Sequence, residues 1–208
     1  MKVFRTLQSS PLARLLTHPW VLWIVLALPA VYWLYAWWRE SMFYGQVLHL
    51  TGDFAVQLLI VTMAVTPLRL LFPKAAWVRG LLRRRRHLGV AAFGYSLLHT
   101  VVYIQRHPEL AFILEDASEF AMWTGWLAFF LMLALALTSN DAAVRLLGRG
   151  WKRLHRVVYL AAALVFVHWI FSAFDPTVGY IHLGVLVALE ALRLALPFFA
   201  RRGSATRS

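Results

Sequence analysis

From Pro19 to Trp38 the chain runs for twenty residues without a charge, PWVLWIVLALPAVYWLYAWW. An α-helix rises 1.5 Å per residue, so about 20 apolar residues cross a hydrocarbon core about 30 Å thick. Five more segments approach this pattern, at roughly 45–72, 87–105, 120–138, 154–172 and 178–199. In lipid every backbone N–H and C=O must be satisfied within the protein, which leaves helices as the way for such segments to cross. The expected fold is therefore an all-α integral membrane bundle of six transmembrane helices. Composition leaves room for little else: 61% of the 208 residues are hydrophobic and 14% charged, where a soluble domain carries about 25%. The chain divides into an N-terminal segment (1–18), one membrane domain (19–199) and a tail (200–208). The first apolar run ends in Trp37-Trp38-Arg39, an interfacial aromatic anchor, and reads as a retained helix rather than a cleaved leader.

The net charge of +12 is explained by where the charges sit. With the N-terminus inside, 18 of the 21 Lys and Arg residues fall in the inner segments, and the outer loops hold only Arg39 and Arg106. Short cytoplasmic loops are enriched in Lys and Arg, so both termini are expected in the cytoplasm. The positive charge is then a topology signal and a contact for lipid headgroups, not a footprint for nucleic acid. The chain has no cysteine, which excludes disulfides, iron–sulfur clusters and thiol chemistry.

Helices three and five each carry two histidines: His87 and His99, then His155 and His168. Ionisable residues inside membrane helices are costly and default to a functional reading. The separations of 12 and 13 residues correspond to about 18–20 Å along a helix. Both helices run from inside to outside, so one histidine pair is expected near each face. Haem iron takes axial imidazoles, and bundle cores build cofactor sites from side chains on facing helices. Haem between helices three and five is the expectation, with His99 and His168 the firmer pair. Twelve residues turn a helix by about 120° beyond whole turns and thirteen by about −140°, so the two levels cannot share one face. His87, next to four arginines, also reads as an interfacial residue. His49, His107 and His182 near the outer interface and His18 near the inner one are expected not to ligate. Arg85, Arg86, Arg153 and Arg156 are candidate contacts for haem propionates or a flavin phosphate. Glu190 and Arg193 read as a local i,i+3 pair.

The motifs TPLR (Thr66–Arg69), RRHLG…F.Y..LH (Arg85–His99), LTS (Leu137–Ser139) and LG..W..LHR.VY (Leu147–Tyr159), with His168, resemble the MsrQ (YedZ) family of haem-binding membrane subunits. That family belongs with the ferric-reductase-like transmembrane domains. The resemblance covers about residues 45–195. It implies a b-type cytochrome of the bacterial inner membrane that passes electrons to a periplasmic molybdopterin subunit of the MsrP type, which repairs methionine sulfoxide. It implies the quinone pool or a cytoplasmic flavin reductase as donor, haem b at one or two sites, and FMN as a further cofactor. The family's ligand histidines map onto His99, His155 and His168, and His87 falls where related oxidases place a fourth. The acidic outer loop with Glu109, Glu115, Asp116 and Glu119 is a candidate partner surface beside its reading as a solvated loop.

Three rivals are weaker. An intramembrane serine hydrolase needs a nucleophile elbow, and Gly94-Tyr95-Ser96-Leu97 lacks the second glycine. A proton-coupled transporter predicts inverted repeats and broken half-helices, neither of which is legible here. Another ferric-reductase-like haem carrier is the nearest alternative, although such proteins normally add a cytosolic flavin module.

Overall fold

The computed structural model describes residues 19–107 and 109–205, with 197–205 as backbone only. The expected N-terminal segment 1–18, including His18, and the last three residues of the tail lie outside the described residues. The helices are α1 (Pro19–Trp38), α2 (Tyr44–Leu71), α3 (Ala76–Arg106), α4 (Leu110–Asp116), α5 (Phe120–Leu137), α6 (Asp141–Leu147), α7 (Arg149–Leu154), α8 (Val158–Ser172) and α9 (Thr177–Ala205). A 3-10 turn, His155–Val157, joins α7 to α8. Six helices are long and apolar enough to cross a membrane: α1, α2, α3, α5, the α7–α8 unit and α9. Together with the apolar surface they present, this makes the chain a multi-pass membrane protein.

Two boundaries differ from the sequence expectation. Helix α3 starts at Ala76 rather than 87, so Arg83 to Arg86 lie on a helix and not in a loop. Arginine is a good helix former, and its long stem lets the charged head reach the interface. Helix α9 runs to Ala205 rather than 199. Helix α2 continues to Leu71 through Pro67, which sits buried inside its last turns. Between α8 and α9 the Asp175 carboxylate accepts the Thr177 N–H at 3.0 Å, just before Pro176 and the start of α9.

Lipid is as apolar as leucine, so membrane helices associate through close packing and interhelical hydrogen bonds rather than by expelling water. The interior follows that rule. Ala55, Ala64, Ala91, Ala92, Ala128, Ala161 and Ala162 are buried, letting backbones approach, while Trp20, Ile24, Leu28, Tyr32 and Trp38 on α1 face outward. Helix α2 packs most extensively on α3, and α5 on the α8 segment, so the bundle is two helix pairs with α9 laid against α2.

Helix α1 is fixed to this centre by one hydroxyl. Tyr95, on α3, donates to the Leu26 carbonyl at 2.6 Å and accepts from the Ala30 N–H at 3.2 Å. Leu26 and Ala30 are an i,i+4 pair flanking Pro29, so the phenol bridges the helix where proline weakens its ladder. The ring also packs against Phe54 and Trp33, at centroid distances of 4.6 and 6.0 Å.

Candidate functional site

Between the two helix pairs lies a cavity of about 440 Å³, within the range of cofactor pockets. Its walls are apolar, with Ala55, Val56, Leu59, Phe129, Met132 and Val165. His99 from α3 and His168 from α8 line it from the two pairs. Its polar lining includes Tyr44, His49, Asp53, Tyr103, His107 and Ser172.

The two histidines are held in the same way. Nδ1 of His99 lies 2.9 Å from the Leu48 carbonyl on α2, and Nδ1 of His168 lies 2.8 Å from the Ala121 carbonyl on α5. A carbonyl only accepts, so each Nδ1 carries the proton and each Nε2 keeps its lone pair. The ring centroids stand 6.3 Å apart. That is about the span of two imidazole–metal bonds of about 2.0–2.1 Å together with the two ring radii. The donor set, tautomer and separation fit a metal that His99 and His168 would hold through their Nε2 atoms.

Each ring also lies on a glycine one turn beyond its carbonyl. A Cβ on Gly52 would come within 3.0 Å of His99 Nδ1, and one on Gly125 within 2.6 Å of His168 Nδ1. Sequence reasoning missed these glycines and the two carbonyls. A signal was there: the dipeptide Thr-Gly occurs at 51–52 and again at 124–125, once in each helix that faces a ligand.

The inner pair expected between His87 and His155 is not formed. His87 turns to α1 and packs on Trp23, with centroids 5.7 Å apart, and its buried Nδ1 has no hydrogen-bond partner. Twelve residues from His99, it is rotated about 120° away from the cavity face. His155 turns instead to the end of α5: its Nε2 lies 3.2 Å from Thr138 Oγ1, and its ring stacks on Trp151 at 3.9 Å. Trp151 donates to the Thr138 carbonyl at 2.9 Å. The chain reaches this arrangement through Gly148, whose φ of 49° lies in the left-handed region that glycine tolerates. The motifs LTS and LG..W..LHR are thus two halves of one contact.

Of the four candidate arginines, Arg85 alone turns inward. Its Nε donates to the Thr62 carbonyl at 3.0 Å and its Nη1 to Thr66 Oγ1 at 3.2 Å, which joins the motifs TPLR and RRHLG. Arg86 is exposed and pairs with Asp141 at 2.5 Å, and Arg153 and Arg156 are exposed. Glu190 and Arg193 form their local pair at 3.0 Å, with the guanidinium also over the Tyr159 ring. Of the outer histidines, His107 stacks on Phe112 and His182 bonds the Val178 carbonyl of its own helix. In the outer loop Glu109, Glu115 and Glu119 are exposed, while Asp116 accepts the Tyr103 hydroxyl. Among the described residues, no three His, Cys, Asp or Glu side chains come together as a metal-ion cluster.

The family model "Ferric reductase like transmembrane component" matches residues 51–166, a stretch that begins at the first Thr-Gly and ends two residues before His168. Proteins of Brucella ovis, Brucella canis and Brucella suis, each named protein-methionine-sulfoxide reductase heme-binding subunit MsrQ, are 38% identical over 163 residues. The alignments cover 76% of this chain and 72% of each relative. No solved structure matches. The chain belongs to the ferric-reductase-like transmembrane family and, within it, to the MsrQ haem-binding subunits.

Proposed function

We propose that this chain is a b-type cytochrome of the bacterial inner membrane that carries electrons to a periplasmic partner reducing methionine sulfoxide in proteins. The observation that carries the reading is the pair His99 and His168, each tied by Nδ1 to a backbone carbonyl, with rings 6.3 Å apart. The names of the relatives supply the system, a protein-methionine-sulfoxide reductase with a separate haem-binding subunit. A haem held by these two rings supplies a one-electron couple. The chain's own residues do the rest: the carbonyls fix the ligand tautomer, the glycines admit the rings, and the apolar walls keep water from the centre. His99 and His168 would both serve to hold the haem, and the chain has no cysteine to reduce a sulfoxide directly. The sulfoxide chemistry therefore belongs to the partner, a molybdopterin subunit of the MsrP type.

Both termini are placed in the cytoplasm on the distribution of Lys and Arg. The end of the cavity lined by Tyr103, His107 and Asp116 then lies toward the periplasm, at the acidic loop. Electrons enter at the basic face, from the quinone pool or a cytoplasmic flavin donor. Three of the four candidate arginines are exposed rather than gathered around one anion, so the reading rests on haem and not on FMN.

The test is the optical spectrum of detergent-purified protein with pyridine-haemochrome quantification. Low-spin b-type bands in the wild type, with the outer haem lost in His99→Ala and His168→Ala and kept in His87→Ala, are the expected result. Full haem content in both the His99 and His168 variants would sink the assignment.

A further inference from the structure

The two ligand histidines share more than a carbonyl and a glycine. Thr51 is fully buried, and its hydroxyl lies 2.8 Å from the Val47 carbonyl and 2.9 Å from that of Leu48. Thr124 is 1% exposed, and its hydroxyl lies 3.1 Å from the Phe120 carbonyl and 2.7 Å from that of Ala121. Leu48 and Ala121 are the residues whose carbonyls hold His99 and His168. Each helix therefore presents one unit: an accepting carbonyl at i, a buried threonine at i+3 whose hydroxyl reaches that carbonyl, and a glycine at i+4 beneath the imidazole.

Threonine commonly bonds back to the carbonyls three and four residues earlier, and glycine commonly lets membrane helices approach. Those habits explain one such unit. They do not explain why the carbonyl that receives the hydroxyl is, on two different helices, the one that also receives a ligand's N–H. In a regular helix that carbonyl already accepts the N–H four residues on, and a carbonyl oxygen has two lone pairs. With the imidazole and its share of the one hydroxyl proton, which each threonine divides between two neighbouring carbonyls, it serves more donors than lone pairs, so each added donor weakens the others.

We propose that Thr51 and Thr124 are matched positioning residues that set how strongly the His99 and His168 imidazoles donate electrons to a bound metal. The hydroxyl draws density from the carbonyl, the Nδ1–H bond is held weaker than the carbonyl alone would make it, and the ring keeps less imidazolate character. Hydrogen bonding at the far nitrogen of a ligand histidine tunes its basicity, and ligand basicity tunes the metal's potential. A matched unit on each helix places the two axial ligands under the same control. This inference rests on the reading of His99 and His168 as haem ligands.

The experiment uses the full-length holoprotein in detergent, with Thr51→Val, Thr124→Val and the double variant, and with Thr51→Ser and Thr124→Ser as conservative controls. Haem content is measured by pyridine haemochrome, and the midpoint potential by spectroelectrochemical titration. Valine keeps the shape and removes the donor. The expected result is haem content at the wild-type level and a potential that falls in each valine variant, falls further in the double variant, and returns toward wild type with serine. An unchanged potential at full haem content overturns the tuning role. Loss of haem in the valine variants, with serine rescuing only the content, assigns the threonines to packing and overturns it as well. Haem retained in both His99→Ala and His168→Ala removes the parent reading instead, so the two failures are distinguishable.

Discussion

The imidazole planes of His99 and His168 cross at 82°, with their centroids 6.3 Å apart. The angle is set by the backbone. Each ring is pinned at Nδ1 to a carbonyl on a different helix, Leu48 on α2 and Ala121 on α5, and rests on the glycine one turn away. A low-spin ferric haem that these two rings held at this angle would have nearly degenerate dπ orbitals. The oxidised protein should therefore give a strongly anisotropic low-spin EPR signal rather than the rhombic signal of parallel planes. A rhombic spectrum from intact protein would mean that the rings rotate on binding the metal.

Much of this arrangement was legible in the sequence. Six apolar runs fixed the class of fold, because a hydrocarbon solvent admits so few solutions. The outer histidines were legible because charge-capable side chains are rare within such runs. The structure does not bring His87 and His155 together, in keeping with the rotation between the two levels: depth along a helix is read from residue number, but which face a residue occupies is a matter of 100° per step. His87 and His99 differ by a third of a turn, and Trp23 rather than His155 receives His87. The start of α3 was missed because four consecutive arginines look like a loop, while their backbone is content in a helix. The cradles at Leu48–Gly52 and Ala121–Gly125 were hidden for another reason. Their acceptors are backbone atoms, which carry no residue signature, and only the repeated Thr-Gly marks them.

Gly125 is the less replaceable of the two cradle glycines. A methyl there would sit 2.6 Å from Nδ1, 2.9 Å from Cε1 and 3.0 Å from Cγ of His168, a face-on collision that the imidazole escapes only by leaving its carbonyl. At Gly52 the nearest approach to His99 is 3.0 Å, and a small displacement relieves it. Losing the support of a ligand typically costs about 10–100-fold in metal affinity. Gly125→Ala should fall toward the upper end of that range and Gly52→Ala toward the lower, read as haem retained after dilution into a haem-scavenging apoprotein.

Tyr95 gives a prediction about the scaffold alone. Replacing it with phenylalanine removes both hydrogen bonds to α1 but lets Leu26 and Ala30 recover their own i,i+4 bond, so the loss is smaller than that of an orphaned buried group. The expected destabilisation is about 0.6 kcal/mol and no more than about 1.7, the average and the maximum measured for hydrogen bonds between membrane helices. It should appear in detergent unfolding curves with the haem spectrum unchanged. A spectral change in Tyr95→Phe would place helix α1 in control of the site.

The Arg86–Asp141 pair ties the start of α6 to α3, and it titrates. The hydrogen bond and charge of Arg86, with a smaller contribution from Arg145, hold the Asp141 carboxyl below the usual carboxylate range. A carboxyl lowered in the folded state contributes stability above its unfolded pKa of about 3.9 and loses it as the pH falls through the folded value. Asp141→Asn should therefore lower the melting temperature slightly at about pH 7, and the difference from wild type should vanish as the pH falls through the lowered folded value. The carboxyl is fully exposed and salt screens such pairs, so the effect should also shrink as ionic strength rises. A difference that persists at low pH would show that Asp141 acts at the helix start through its shape, beside the Asn140 cap on the Ala143 N–H, and not through its charge.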